Sequence, residues 1–140
     1  MNEKEGIIRY QNYLSEFMIP SDLEIMGKII GTMSYSKVKK NGFPYHGEYQ
    51  RAYHIVREAD LLSAYDFDRC MLYRMHRDQS GDIDSAFDEA EELFNERVFK
   101  HKLDGLLTTK YANDQHDQLC LIAEARIETW RNIVSRIRPM

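Results

Sequence analysis

The sequence predicts an all-α fold, organised as a single compact helical domain over residues 1–140. Apolar residues recur at intervals of three and four along almost the whole chain, which is the period of an amphipathic helix. Alternating strand-like patterns are absent, and no pair of β-branched runs flanks a hairpin turn. The chain is therefore expected to form consecutive helices, with no linker that would divide two domains.

The first predicted helix covers about residues 3–18 and is stopped by Pro20. Ser21 is the expected N-cap of the second helix, because Glu24 follows three residues later and completes a capping box. Residues 34–47 are polar and contain turn signals. They are expected to form a long irregular loop, and long loops in compact domains often carry function.

The second half of the chain predicts further helices separated by short polar breaks. Asp66 is the expected cap of one of them, and residues 78–82 are expected to form a surface turn between two others. The predicted segments cover about residues 48–65, 66–75, 83–98, 103–111 and 114–138. Their apolar stripes supply the predicted core.

Composition and charge restrict the class of protein. Hydrophobic residues make up 43% and charged residues 30% of the chain, as in ordinary globular domains. The net charge of −4 argues against dedicated nucleic-acid binding, which normally requires a basic surface. Two cysteines do not make a disulfide framework, no apolar run is long enough to span a membrane, and the first residues do not resemble a signal peptide. These features predict a reduced, cytoplasmic protein with no membrane association.

Asp60 is the first candidate functional residue. It lies within residues 53–65, a predicted helix with apolar residues on nearly every side, so its carboxylate is expected to be buried. A buried carboxylate is costly unless it is paired, hydrogen-bonded or bound to a metal. One interpretation is that Arg57, Tyr53 or Ser63 satisfies it. The other is a metal ligand or general base in a dry cleft.

A small basic cluster within residues 34–47 is the second candidate. Lys37, Lys39 and Lys40 are either solvated surface residues or, beside a site, cations that attract a phosphate. The dipeptide His116-Asp117 is instead expected to lie at a solvated helix start. Residues 78–84 resemble the centre of a calcium loop, but with Gly81 as its invariant glycine the first and last ligand positions are His76 and Phe87, which are not acidic.

Several motifs, taken in order, resemble the HD-domain metal-dependent phosphohydrolases. Thr-Met-Ser-Tyr-Ser at residues 32–36 precedes a lysine-rich loop, and Glu-Ala-Asp-Leu-Leu-Ser-Ala follows at residues 58–64. Phe94 and Arg97, and then Thr-Thr-Lys-Tyr-Ala at residues 108–112, are similar to the closing helices of that family. The similarity covers most of the chain from about residue 20 onward.

This resemblance implies an all-helical fold that holds one divalent metal ion through an early His, a later His-Asp pair and a final Asp. Asp60 corresponds to the final Asp, and Lys37 and Lys39 are candidate phosphate contacts. The chain looks like the family without its amino-terminal helices, because no residues match the other three ligands. Nucleotides or other phosphate esters are the substrate class that the resemblance implies.

Two functions are therefore expected. The first is an HD-type phosphohydrolase that is ligand-depleted and weakly active or inactive as this chain, since working metal sites take three or more protein ligands. The alternative is a non-enzymatic helical interaction module that self-associates or binds a partner. A homo-oligomer is expected, because a family member without its amino-terminal helices would expose apolar surface that must be covered.

Overall fold

A computed structural model describes residues 3–77 and 82–137, and every regular element in these ranges is helical. The α-helices are α1 (Glu3–Leu14), α2 (Pro20–Thr32), α3 (Tyr35–Asn41), α4 (Gln50–Ser63), α5 (Phe67–Arg77), α6 (Ile83–Leu93) and α7 (Lys110–Ile137). A 3₁₀ turn (Gly47–Tyr49) precedes α4, and a π-helical segment (Phe94–Val98) continues α6. The predicted all-α fold class is confirmed.

The chain forms two compact units, Met1–Arg57 and Glu58–Met140, and the boundary falls inside α4. Organisation as a single domain stays a prediction. None of the helices in residues 3–77 and 82–137 combines the length and the apolar character that crossing a bilayer requires.

In unit 1, helices α1 and α2 pack against each other, and α2 presents two glycines to α1. A Cβ atom at Gly27 would lie 2.9 Å from Nε2 of Gln11, and one at Gly31 would lie 3.4 Å from Cδ1 of Ile7. The absence of a side chain at Gly27 therefore leaves room for the side chain of Gln11, whereas a Cβ atom at Gly31 would make only ordinary van der Waals contact.

The predicted start of α2 is wrong in its detail. Pro20 opens the helix, and Ile19 occupies the N-cap position without a side-chain cap hydrogen bond. Proline is favoured at the first helical position, because its fixed φ suits the helix and its missing N–H has no intrahelical partner there. The capping box that Ser21 and Glu24 suggest is consequently not formed, and Glu24 pairs with Lys28 instead.

The long irregular loop predicted at residues 34–47 is also wrong, because its first half is α3. Val38 is buried and gives this short helix an apolar contact. Gly42, with φ +73°, ends the helix, and its backbone N–H donates to the carbonyl of Val38 at 2.8 Å. Glycine adopts this left-handed conformation without the steric cost of a Cβ atom.

In unit 2, helices α5, α6 and α7 and the π-helical segment enclose an apolar core. Aromatic rings meet edge to face at its centre: the ring centroid of Phe94 lies 5.0 Å from that of Phe67 and 5.6 Å from that of Phe99. The core residues are Tyr65, Phe67, Met71, Ala86, Phe87, Ala90, Phe94, Val98, Ala123, Ile127 and Val134. The apolar stripe predicted for residues 83–98 is among them.

Asp66 caps α5 as predicted, because its Oδ1 accepts from the backbone N–H of Arg69 at 3.0 Å.

The helix predicted at residues 103–111 is wrong. Turns lead to Gly105, whose φ is +69°, and α7 begins only at Lys110. Of the surface turn predicted at residues 78–82, only Asp82 is described, where its side chain caps α6.

Candidate functional site

Helix α4 carries two acids with different environments, Glu58 and Asp60. Glu58 is 2% exposed, whereas Asp60 is exposed, so the predicted burial of Asp60 is wrong. Residues that are two positions apart on an α-helix lie about 200° apart around its axis. When one of the two faces the interior of unit 2, the other therefore faces solvent. Sequence reasoning therefore placed the buried carboxylate two positions too late.

Glu58 binds the segment that leads into α7. Its Oε1 accepts from the backbone N–H and the hydroxyl of Thr108, at 2.5 and 2.6 Å. Its Oε2 accepts from the hydroxyl of Thr109 at 2.5 Å and from the N–H of that residue at 3.3 Å. The hydroxyl oxygen of Thr109 in turn accepts from the N–H of Ala112 at 3.1 Å, so Glu58 holds a residue that caps the start of α7.

The electrostatics of Glu58 agree with a structural role. Burial raises the pKa of its carboxyl group, but the hydrogen bonds from Thr108 and Thr109 outweigh burial and leave the pKa below its ordinary value. The group is therefore ionised in the folded state at neutral pH. Glu58 shares the helical period of the buried residues Leu61 and Tyr65, but apolar residues occur on nearly every side of this helix, so the sequence alone does not single out that face.

The carboxylate of Asp60 is open to a ligand. None of the interpretations that pair it within the chain is met: the hydroxyl of Ser63 donates to the backbone carbonyl of Asp60 at 2.7 Å and not to its side chain. Among residues 3–77 and 82–137, the Asp60 carboxylate has no hydrogen bond and no ion pair. An exposed and unpaired carboxylate fits one ligand of a larger site as well as it fits a solvated side chain.

The residues of the described chain do not make the divalent-metal site that the resemblance implies. No group of three or more His, Cys, Asp or Glu side chains in residues 3–77 and 82–137 is placed to hold a metal ion. Asp60 alone offers one carboxylate, and a catalytic divalent ion normally takes three protein ligands. No hydrolytic step is therefore assigned to these residues.

The predicted phosphate contacts lie on α3 in unit 1, whereas Asp60 belongs to unit 2. The amine of Lys37 donates to the carbonyl of Gly31 at 2.6 Å and lies at the edge of a cleft of about 110 Å³. Lys39 is exposed and lies two residues after Lys37 on the same helix. Residues at this spacing do not face each other, so the two side chains point in different directions. A lysine in the last turn of α3 also interacts favourably with the helix dipole.

The two other predicted partners of Asp60 are also engaged elsewhere: the hydroxyl of Tyr53 donates to the carbonyl of Thr32 at 3.3 Å, and Arg57 is buried within unit 1. Its guanidinium carbon lies 4.6 Å from the centre of the Phe43 ring, a cation–π contact, and its Nη2 donates to Nδ1 of His54 at 3.2 Å. Arg57 therefore contributes to packing the segment that leads into α4.

Unit 2 also contains a buried polar cluster that the sequence did not reveal. The hydroxyl of Tyr65 lies 2.5 Å from Nδ1 of His116, and Sγ of Cys120 lies 3.5 Å from Nε2 of the same ring. Burial lowers the pKa of His116 and raises the pKa of Tyr65. The imidazole is therefore neutral at neutral pH, and it shares a hydrogen bond with the tyrosine hydroxyl. Burial raises the pKa of Cys120 to about 11, which makes its thiol a poor nucleophile.

The predicted solvated position of His116-Asp117 holds for only one of the two residues. His116 is buried, whereas Asp117 is exposed and pairs with Lys102 at 2.8 Å. The two side chains therefore point to different environments and do not share a ligand.

Acid is expected to destabilise the protein through His116. The folded state keeps this ring neutral, so the unfolded state binds its proton more readily. Stability is therefore full above the ordinary histidine pKa of 6.5 and falls as the pH drops below it. The unfolding free energy of the wild type should fall between neutral pH and about pH 5. In the variant His116→Gln this fall should be smaller by about 1 kcal/mol.

Urea unfolding followed by the fluorescence of Trp130 measures this difference, because Trp130 packs against the core of unit 2. The exposed residue His76 supplies the matched control, since His76→Gln should keep the wild-type pH dependence. An identical pH dependence for wild type and His116→Gln would contradict the assignment.

No protein-family model, curated protein or solved structure matches this chain. The resemblance to the HD-domain phosphohydrolases consequently rests on the sequence motifs alone and stays a prediction.

Proposed function

We propose that this chain is part of an HD-type metal-dependent phosphohydrolase, to which it contributes the final metal ligand, Asp60. The observation that supports the proposal is the difference between the two acids of α4. Glu58 is fully occupied by threonine hydroxyls and backbone N–H groups, whereas the Asp60 carboxylate is exposed and unpaired. The substrate class proposed is phosphate esters, including nucleotides.

Physical chemistry limits what the chain does alone. One carboxylate holds a divalent ion weakly, because working sites normally combine three or more protein ligands. The proposed chain therefore binds metal weakly and hydrolyses phosphate esters slowly or not at all, unless further ligands join Asp60. Lys37, beside the small cleft of unit 1, is the proposed phosphate contact, with Lys39 adding positive charge on the same helix.

A phosphatase screen tests the proposal. Wild type, Asp60→Ala and the control Glu92→Gln, which alters an exposed acid of α6, are compared on nucleotides and a generic phosphate ester with Mg²⁺ or Mn²⁺. Any metal-dependent turnover should be weak, abolished by Asp60→Ala and kept by Glu92→Gln. A stoichiometric metal found by elemental analysis in both wild type and Asp60→Ala would contradict the proposed role of Asp60.

A helical interaction module that self-associates is the second candidate, because large apolar side chains are exposed in both units. In unit 1, Phe17 and Ile19 are 75% and 61% exposed, and in unit 2, Leu121 and Ile122 are 68% and 59% exposed. Exposed apolar surface of this kind often marks an interaction site. Light scattering that finds a clean monomer at high concentration would count against this function.

A further inference from the structure

An apolar groove of about 450 Å³ lies within unit 1, between α2 and the start of α4. Met26 and Ile30 contribute to the α2 wall, and Tyr49 and Val56 contribute to the opposite wall. The lining residues of α2 follow the spacing of one helical face, which extends for about 12 Å, or two turns. A groove of this length accommodates apolar side chains that lie one helical turn apart on a docked helix.

Asp22 is the charged residue among the side chains that line this groove. Asp22 lies in the first turn of α2, where its negative charge interacts favourably with the helix dipole. Among the described residues, its carboxylate has no hydrogen bond and no ion pair. The groove therefore favours an occupant that combines apolar side chains with a positive charge near one end.

The last turn of α7, in unit 2, has this combination. Ile133 and Ile137 lie one turn apart and are 40% and 55% exposed. Arg136 lies beside them, and among the described residues its guanidinium has no partner. By contrast, Arg126 pairs with Asp68, and Arg131 pairs with Glu91 and Glu128, so these two arginines of α7 are already engaged.

We propose that the groove of unit 1 binds the last turns of α7 from a second copy of this chain, with Arg136 pairing with Asp22. Ile133 and Ile137 then fill the apolar part of the groove beside Met26. A second copy suits the groove because the two charges, which have no partner among the described residues, and the two apolar surfaces are complementary and occur in the same sequence. This inference rests on self-association, the second candidate function.

The proposed contact is small, so the association is weak. Two turns of helix bury less than the roughly 800 Å² per partner of a standard interface. A two-fold pair doubles the area, because each copy then offers one helix end and one groove. Self-association should therefore be seen at high micromolar concentration and lost on dilution.

Charge reversal tests the pairing by sedimentation velocity from low to high micromolar concentration. Asp22→Arg and Arg136→Asp should each weaken association about tenfold, and the double variant should restore it to about the wild-type level. Glu92→Arg is the matched control, because it reverses an exposed acid outside the groove and should leave association unchanged. Circular dichroism checks that every variant keeps its helical content.

The possible outcomes separate the groove from self-association in general. The groove contact is overturned if the wild type associates and both single reversals associate equally well. It is also overturned if the double variant fails to recover association. Both results leave self-association itself standing. A wild type that is monomeric throughout overturns both and leaves the groove to a different partner.

Discussion

Replacing Glu58 with alanine is expected to lower the free energy of unfolding by about 3 kcal/mol. The carboxylate accepts hydrogen bonds from the hydroxyls and backbone N–H groups of Thr108 and Thr109, and it is 2% exposed. Without it, these donors lose their acceptor at the start of α7. Urea unfolding of the whole chain, followed by Trp130 fluorescence, measures the loss.

Asp60→Ala provides the matched control, because it removes an exposed carboxylate from the same helix only two residues away. It should change stability by less than about 0.5 kcal/mol, since the side chain has no partner among the described residues. Equal losses for Glu58→Ala and Asp60→Ala would contradict the different environments of these two acids.

The contribution of Glu58 also depends on pH in a defined direction. Because its hydrogen bonds leave its folded pKa below the ordinary value of 4.5, its stabilisation is present above that pH and is lost as the pH falls through the folded pKa. The variant Glu58→Gln should lack this acid-dependent loss. The window lies below the one in which His116 acts, so the two effects are separable.

Replacing Phe94 with alanine should cost about 4 kcal/mol of unfolding free energy. Phe94 is fully buried in the π-helical segment and touches the rings of Phe67 and Phe99. Truncation removes the buried ring and leaves a cavity that the surrounding helices fill only in part. The same urea titration measures the loss.

Phe17→Ala is the control for Phe94, because Phe17 is 75% exposed and lies outside the regular helices. It should alter stability by less than about 0.5 kcal/mol. A loss below about 1 kcal/mol for Phe94→Ala would contradict its position at the centre of the core.

The helical period was sufficient to predict the fold class and part of the core. Ala86, Phe87, Ala90, Phe94 and Val98 share one face in the sequence and are buried in the structure. Apolar periodicity predicts such positions because a helix must bury one face to be stable in a globular domain.

The positions at which helices begin and end were harder to predict from the sequence. The lysine-rich α3 is only seven residues long and has one buried residue, Val38, so its apolar period is too short to recognise. The segment around Leu106 and Leu107 is apolar and buried without being helical. There, Gly105 adopts a positive φ and Glu58 binds the following threonines, and neither effect is visible in a local pattern.

The candidate site shows why the buried acid was misplaced. Residues 53–65 carry apolar side chains on nearly every side, so the helical period did not identify the buried face. The contact that decides between Glu58 and Asp60 joins Glu58 to Thr108, 50 residues later in the chain. Long-range hydrogen bonds of this kind are fixed by tertiary packing and not by neighbouring residues.

The most direct test of the proposed function is to find where a divalent metal ion binds. Titrating Mn²⁺ into the ¹⁵N-labelled chain broadens the amide resonances nearest to the bound ion. We predict broadening centred on Asp60 and its neighbours in α4, weak affinity, and loss of the effect in Asp60→Asn. Broadening centred elsewhere, or broadening around α4 that survives in Asp60→Asn, would contradict the role of Asp60 as a metal ligand.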